Sequence, residues 1–124
     1  MVKSCRRSFL KATGAAVAYA ATPVTAAEDS FALSYMLASS MYGKTNLEEI
    51  LPEVKRTGSD SIDIWPMGHA NQREQIEAMG HDRFRELLER HEVRLGMTTR
   101  YDLGPYRLQD EMKFIKAFGG HQIV

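Results

Sequence analysis

Hydrophobic and polar positions alternate between two periods along this chain. "FALSYMLAS" (31–39), "SIDIWP" (61–66), "VRLGMTTR" (93–100) and "HQIV" (121–124) are short apolar or alternating runs, and each predicts a strand. Helical spacing fills the gaps. Leu47, Ile50, Leu51 and Val54 repeat at i, i+3, i+4 and i+7, with Thr45 and Glu48 as a capping box and Gly58 as the C-terminal stop. Pro52 inside this stripe should kink the helix or mark its true first turn. Phe84, Leu87, Leu88 and His91 form a second stripe opened by Asp82, preceded by a shorter helical piece, "NQREQIEAM". Leu108, Met112, Ile115 and Phe118 form a third, closed by Gly119-Gly120.

The strands begin near residues 31, 61, 94 and 121, at spacings of 30, 33 and 27 residues. That is the length of a βα unit, so the pattern predicts an α/β fold with a parallel sheet and right-handed crossovers. Strand faces discriminate between architectures. Ile62 and Ile64 share one face, and Ser61, Asp63 and Trp65 the other. Simple alternation puts Leu95 and Met97 together, opposite Gly96, Thr98 and Arg100. One apolar and one polar face per strand suits a partial (β/α) TIM barrel, here three βα units plus a fourth strand, better than a doubly wound sheet with apolar runs on both faces. "YGKT" (42–45) lacks the earlier glycine of a phosphate loop and reads as a helix-entry turn.

Charge changes the picture at the N-terminus. Residues 1–27 hold Lys3, Arg6, Arg7 and Lys11 and no acid, while residues 28–124 carry a net charge of −4. The mildly acidic body argues against a nucleic-acid partner. The basic start and the Ala-rich run from Ala12 to Thr22 read as a signal peptide over residues 1–27, with cleavage expected after Ala26 or Ala27. The run is about half the roughly 20 residues of a membrane span, so no stable membrane span is expected. Arg6-Arg7 followed by Ser8, Phe9, Leu10 and Lys11 resembles the twin-arginine export signal, with Cys5 where that pattern usually has Ser or Thr. The resemblance implies the twin-arginine machinery as a partner and an exported, periplasmic location. Cys5 is the single cysteine, so the mature chain has no disulfide.

Residues 28–124 are read as the N-terminal part of one domain. "LEEILPEVKRTGSDSIDIWP" and "LGMTTRYDLGPYRLQDEMKFIKAFGGHQIV" resemble the sugar phosphate isomerase/epimerase family, which are xylose-isomerase-like TIM barrels. The resemblance implies metal-assisted isomerisation or epimerisation of a sugar. In that family a divalent metal polarises the sugar oxygens and glutamates move the proton. Their ligands and acid–base residues come from the later strands, beyond residue 124. A whole barrel takes roughly 250 residues. The chain is therefore expected to be a truncated member, holding no cofactor and inactive alone. Two other expectations stand beside it. One is a half-barrel that associates with itself or with the missing half. The other is a small non-catalytic sugar-binding module.

Candidate substrate-binding residues lie where barrel strands end. Trp65 either walls the sugar pocket or fills the barrel mouth. Asp63, also a candidate, sits one layer deeper and needs a buried partner, for which Arg100 is the candidate; Arg100 is itself a substrate-binding candidate, next to Tyr101 and Asp102 where a sugar ring or phosphate would find donors. His69 and Tyr101, with Asp102, lie in the loops above and either touch substrate or are loop residues. His81 and His91 read as helix-entry and helix-face residues, and His121 as the wrong end of strand four. Met97 and Met112 are assigned to packing. No spacing of His and acidic residues suggests a metal site.

Overall fold

The computed structural model describes residues 32–124. The proposed signal peptide, its twin-arginine residues Arg6, Arg7, Phe9, Leu10 and Lys11, and its cleavage site lie outside the described residues.

The elements run β1 (Met36–Ala38), a 3-10 turn (Ser39–Tyr42), α1 (Leu47–Arg56), β2 (Ser61–Ile64), α2 (Gln72–Met79), α3 (His81–His91), β3 (Arg94–Thr98), α4 (Gln109–Ala117) and β4 (Gln122–Ile123). The four strands pair in parallel, in the order β1-β2-β3-β4. Each crossover therefore advances by one strand in the same direction, and right-handed crossovers then place their helices on one face of the sheet. The core agrees. Leu37, Ile62 and Leu95 lie side by side in register, and they cluster with Leu47, Ile50, Leu51 and Val54 of α1, Phe84 and Leu87 of α3, and Phe114 and Ile115 of α4. A fully buried side chain of this size contributes about 1.5–3 kcal/mol. The four such residues of α1 are therefore its main hold on the core.

The other face of the strands carries Met36, Ser61, Asp63 and Gly96. A Cβ on Gly96 would lie 2.5 Å from the Met36 methyl and 3.2 Å from Ser61 Cβ, so a larger residue here would have to push the Met36 side chain aside. The register slips by one residue between Ile62 and Asp63, so that Asp63 stands opposite Met97 rather than Gly96. This bulge overturns the simple alternation along "RLGMTTR". Met97 moves to the face of Asp63, and Thr98 is fully buried beside Ile64.

Three helix details also differ from expectation. Asn46, not Thr45, caps α1: its Oδ1 accepts from the Glu48 N–H at 3.0 Å, while Thr45 Oγ1 donates to Tyr42 O at 2.8 Å. Pro52 lies in the second turn of α1, where the buried stripe on both sides holds the helix through it. Gly80 precedes α3, and Asp82 stands inside its first turn, paired with Arg85. Gly58, with φ of 79°, does follow the end of α1 as the left-handed stop. In α4 the buried stripe is Glu111, Phe114 and Ile115, with Phe118 packed against it; Met112 is exposed. Among the described residues no helix is long and apolar enough to cross a membrane.

Candidate functional site

The chemistry-bearing residues gather where β1, β2 and β3 end. Ser39, just past β1, is fully buried, and its Oγ accepts the Trp65 backbone N–H at 3.0 Å. That bond ties the chain after β2 to the end of β1. Trp65 then turns its indole back over β2. Its Nε1–H donates to Asp63 Oδ2 at 2.6 Å. Thr99, just past β3, donates through Oγ1 to both Asp63 oxygens, at 3.1 and 3.0 Å. Asp63 is only 4% exposed. Burial pushes its carboxyl up to about 6, against the opposing pull of the Trp65 and Thr99 hydrogen bonds.

Above this carboxyl three rings meet. The Trp65 and His69 centroids are 5.9 Å apart, Trp65 and Tyr101 5.9 Å, and His69 and Tyr101 5.8 Å. All three pairs are tilted or edge-on, the arrangement that ring quadrupoles favour. Gly68 makes the closure possible. Its φ is 123°, and a Cβ there would lie 2.7 Å from the Tyr101 hydroxyl oxygen. Trp65 is half-buried, while His69 and Tyr101 are exposed. The cluster is thus a half-open aromatic cup with a buried carboxyl below it.

Arg100 does not pair with Asp63. The register slip puts Thr99 on the Asp63 side and sends Arg100 to the helix side. There its Nε and Nη2 donate to the two oxygens of Asp102, at 2.9 and 3.0 Å, and its Nη1 donates to Glu111 Oε2 at 3.0 Å. The hydrogen bond from Arg100 holds the Asp102 carboxyl below the usual range, and Asp102 in turn raises the Arg100 guanidinium. Arg73 of α2 donates from Nε to Glu111 Oε1 at 3.0 Å and lies over the Phe114 ring at 3.9 Å. Glu111, 3% exposed, is therefore held between two guanidinium groups. This network joins α2, α4 and the loop after β3.

Comparison with protein-family models, curated proteins and solved structures finds no match. The chemistry of the site rests on its own residues.

The structure brings Asp63, Trp65, His69 and Tyr101 together and leaves Arg100 in a separate ion network. Ser39, Thr99, Arg73 and Glu111 were missed in the sequence. For Glu111 a signal existed: counting back from Phe118 in steps of three and four passes through Ile115, Phe114 and Glu111. For Thr99 none existed, because its orientation depends on the slip between strands. The "YGKT" turn is structural, since Gln72 Nε2 donates to the Gly43 and Thr45 carbonyls at 2.9 and 2.8 Å. His81 is the first residue of α3 and lies 5.4 Å from both the Phe114 and Phe118 rings. An apolar groove of about 530 Å³ lies elsewhere, along α4 and β4, lined by Leu108, Met112, Ile115 and Ile123.

Among the described residues no group of three or more His, Cys, Asp and Glu could hold a metal ion. Both oxygens of Asp63 already accept from Trp65 and Thr99. This donor set does not fit the divalent metal that the family resemblance implies. What the cup can do is bind. Aromatic faces match the apolar faces of a ring, and the His69 imidazole and Tyr101 hydroxyl can hydrogen-bond groups at its edge.

Proposed function

We propose that this chain supplies the sugar-binding wall of a sugar phosphate isomerase/epimerase-type β/α barrel, and that it does not isomerise sugar alone. The aromatic cup of Trp65, His69 and Tyr101 at the C-terminal ends of parallel strands carries this reading. In β/α barrels that end of the sheet is where substrate sits. A strand order advancing by one at each step supports the barrel, because a doubly wound sheet reverses its order at a switch point. In this reading the metal and the acid–base pair come from later strands, and the cup receives the apolar face of the sugar ring.

Trp65 is the only tryptophan of the chain, so its fluorescence reports the cup. Titration with a panel of aldoses, ketoses and polyols should change its emission saturably for at least one of them. Trp65→Ala should abolish the accompanying heat in calorimetry. A panel that gives neither signal overturns the reading.

The export proposal is tested separately. Replacing both Arg6 and Arg7 by Lys should leave the full chain in the cytoplasm of a bacterial host, whereas the unaltered chain should reach the periplasm.

A second reading is assembly. Among the described strands β1 and β4 pair on one side only, and Met112, 57% exposed, lines the groove beside β4. Edges of this kind favour further pairing. Light scattering that shows a strict monomer at all concentrations would remove this reading.

A further inference from the structure

We propose that Asp63 never touches ligand and is instead the positioning residue that fixes the Trp65 indole as a rigid platform, with Thr99 holding Asp63 in place. The ligand part of this inference rests on the sugar-binding reading; the tether itself does not.

A partly exposed tryptophan at a strand end can rotate about two side-chain bonds, and each orientation presents a different face to a ligand. Here the indole has one strong polar tether, the 2.6 Å hydrogen bond from Nε1–H to Asp63 Oδ2. The acceptor is itself immobile. Thr99 Oγ1 bridges both of its oxygens, and its backbone lies in the paired part of β2. The Trp65 backbone is pinned independently by Ser39 Oγ, so that only the ring orientation is left to Asp63. At 4% exposure, with both oxygens engaged by Trp65 and Thr99, Asp63 presents almost no surface to a ligand in the cup. A hydrogen bond to a carboxylate is stronger than one to a neutral acceptor, which suits a tether. The other charged or titratable groups around the cup do not compete. His69 and Tyr101 meet Trp65 through their rings, Arg100 is committed to Asp102 and Glu111, and Glu74 accepts the Met67 N–H at 3.0 Å.

The test uses the full chain and the near-ultraviolet circular dichroism of Trp65, a signal that requires a fixed indole. Asp63→Asn keeps an acceptor oxygen and should retain the signal. Asp63→Leu removes the acceptor and should lose it, while far-ultraviolet dichroism stays unchanged. Acrylamide quenching of Trp65 should then rise about twofold or more, and any sugar bound by the unaltered chain should bind Asp63→Leu about tenfold more weakly, the size of one hydrogen bond to a charged group. Should Asp63→Leu fail to fold, Thr99→Val answers the same question. It leaves Asp63 in place without its support, and should weaken the dichroism and increase quenching. An unchanged Trp65 signal in Asp63→Leu, or in Thr99→Val where Asp63→Leu fails to fold, overturns the proposal. So does equal loss in Asp63→Asn and Asp63→Leu. Loss in Asp63→Leu alone, with no sugar bound by any form, upholds the tether and overturns the sugar reading.

Discussion

Asp63 concentrates the energetics of the site in one residue. Its carboxyl is raised to about 6 because burial disfavours the charged form. The folded state therefore holds the proton more tightly than the unfolded chain. This contribution to stability is fully present below about pH 4 and is lost as pH rises through about 6. Asp63→Asn should accordingly stabilise the chain above about pH 7, by on the order of 2–3 kcal/mol at most, and give little gain near about pH 4. Urea denaturation at the two pH values checks the sign, and equal effects at both would refute it. Glu111 is the opposite case. It is a charge already compensated by Arg73 and Arg100. Glu111→Gln leaves Arg73, whose side chain is 8% exposed, with the exposed Glu77 as its only charged partner, and should cost about 3 kcal/mol in the same measurement.

Helix ends decide where several elements stop. Glu92 ends α3 with φ of 54°, the one described non-glycine residue at positive φ. The Cβ of an L-residue is crowded in that conformation. Glu92→Gly should raise stability by about 0.5–1 kcal/mol, seen as a higher urea midpoint with an unchanged slope. Gly120 is constrained by space instead. A Cβ there would lie 2.3 Å from Ile115 Cγ1 and 3.1 Å from the Leu95 carbonyl oxygen. Gly120→Ala must displace α4 from β3, and should cost about 1–3 kcal/mol in thermal unfolding. Both sites were visible in the sequence as ends of helical stripes. Their conformations were not, because nothing in "RHEV" or "FGGH" shows which residue turns left-handed or which neighbour approaches. The α4 stripe shows a related limit. Leu108 and Met112 are as apolar as Phe114, but the sheet meets only one side of the helix, and that side takes Glu111, Phe114 and Ile115.

At the scale of the molecule, crossovers that each advance by one strand set the order β1-β2-β3-β4, and the site follows from that order. β1, β2 and β3 end side by side, so Ser39, Trp65 and Thr99, each just beyond a strand, can share one hydrogen-bonded cluster. Hydrogen exchange should find the slowest amides in β2, which pairs with β1 on one side and has all four of its residues matched to β3 on the other, whereas β3 pairs with β4 at only two positions. Faster exchange in β2 than in β1 would contradict this.

The sequence by itself determined the alternation of strands and helices, the parallel α/β class, the α1 and α3 stripes, and the placing of Trp65, His69 and Tyr101 beyond strand ends. These depend on local periodicity, which side chains carry wherever the chain goes. Only the tertiary structure decided that Asp63 meets Thr99 rather than Arg100, that Glu111 is buried between two arginines, and that three rings close into a cup. Each of these depends on a one-residue register slip, or on which face of a helix the sheet happens to meet. Those are relations between segments, and no single segment encodes them.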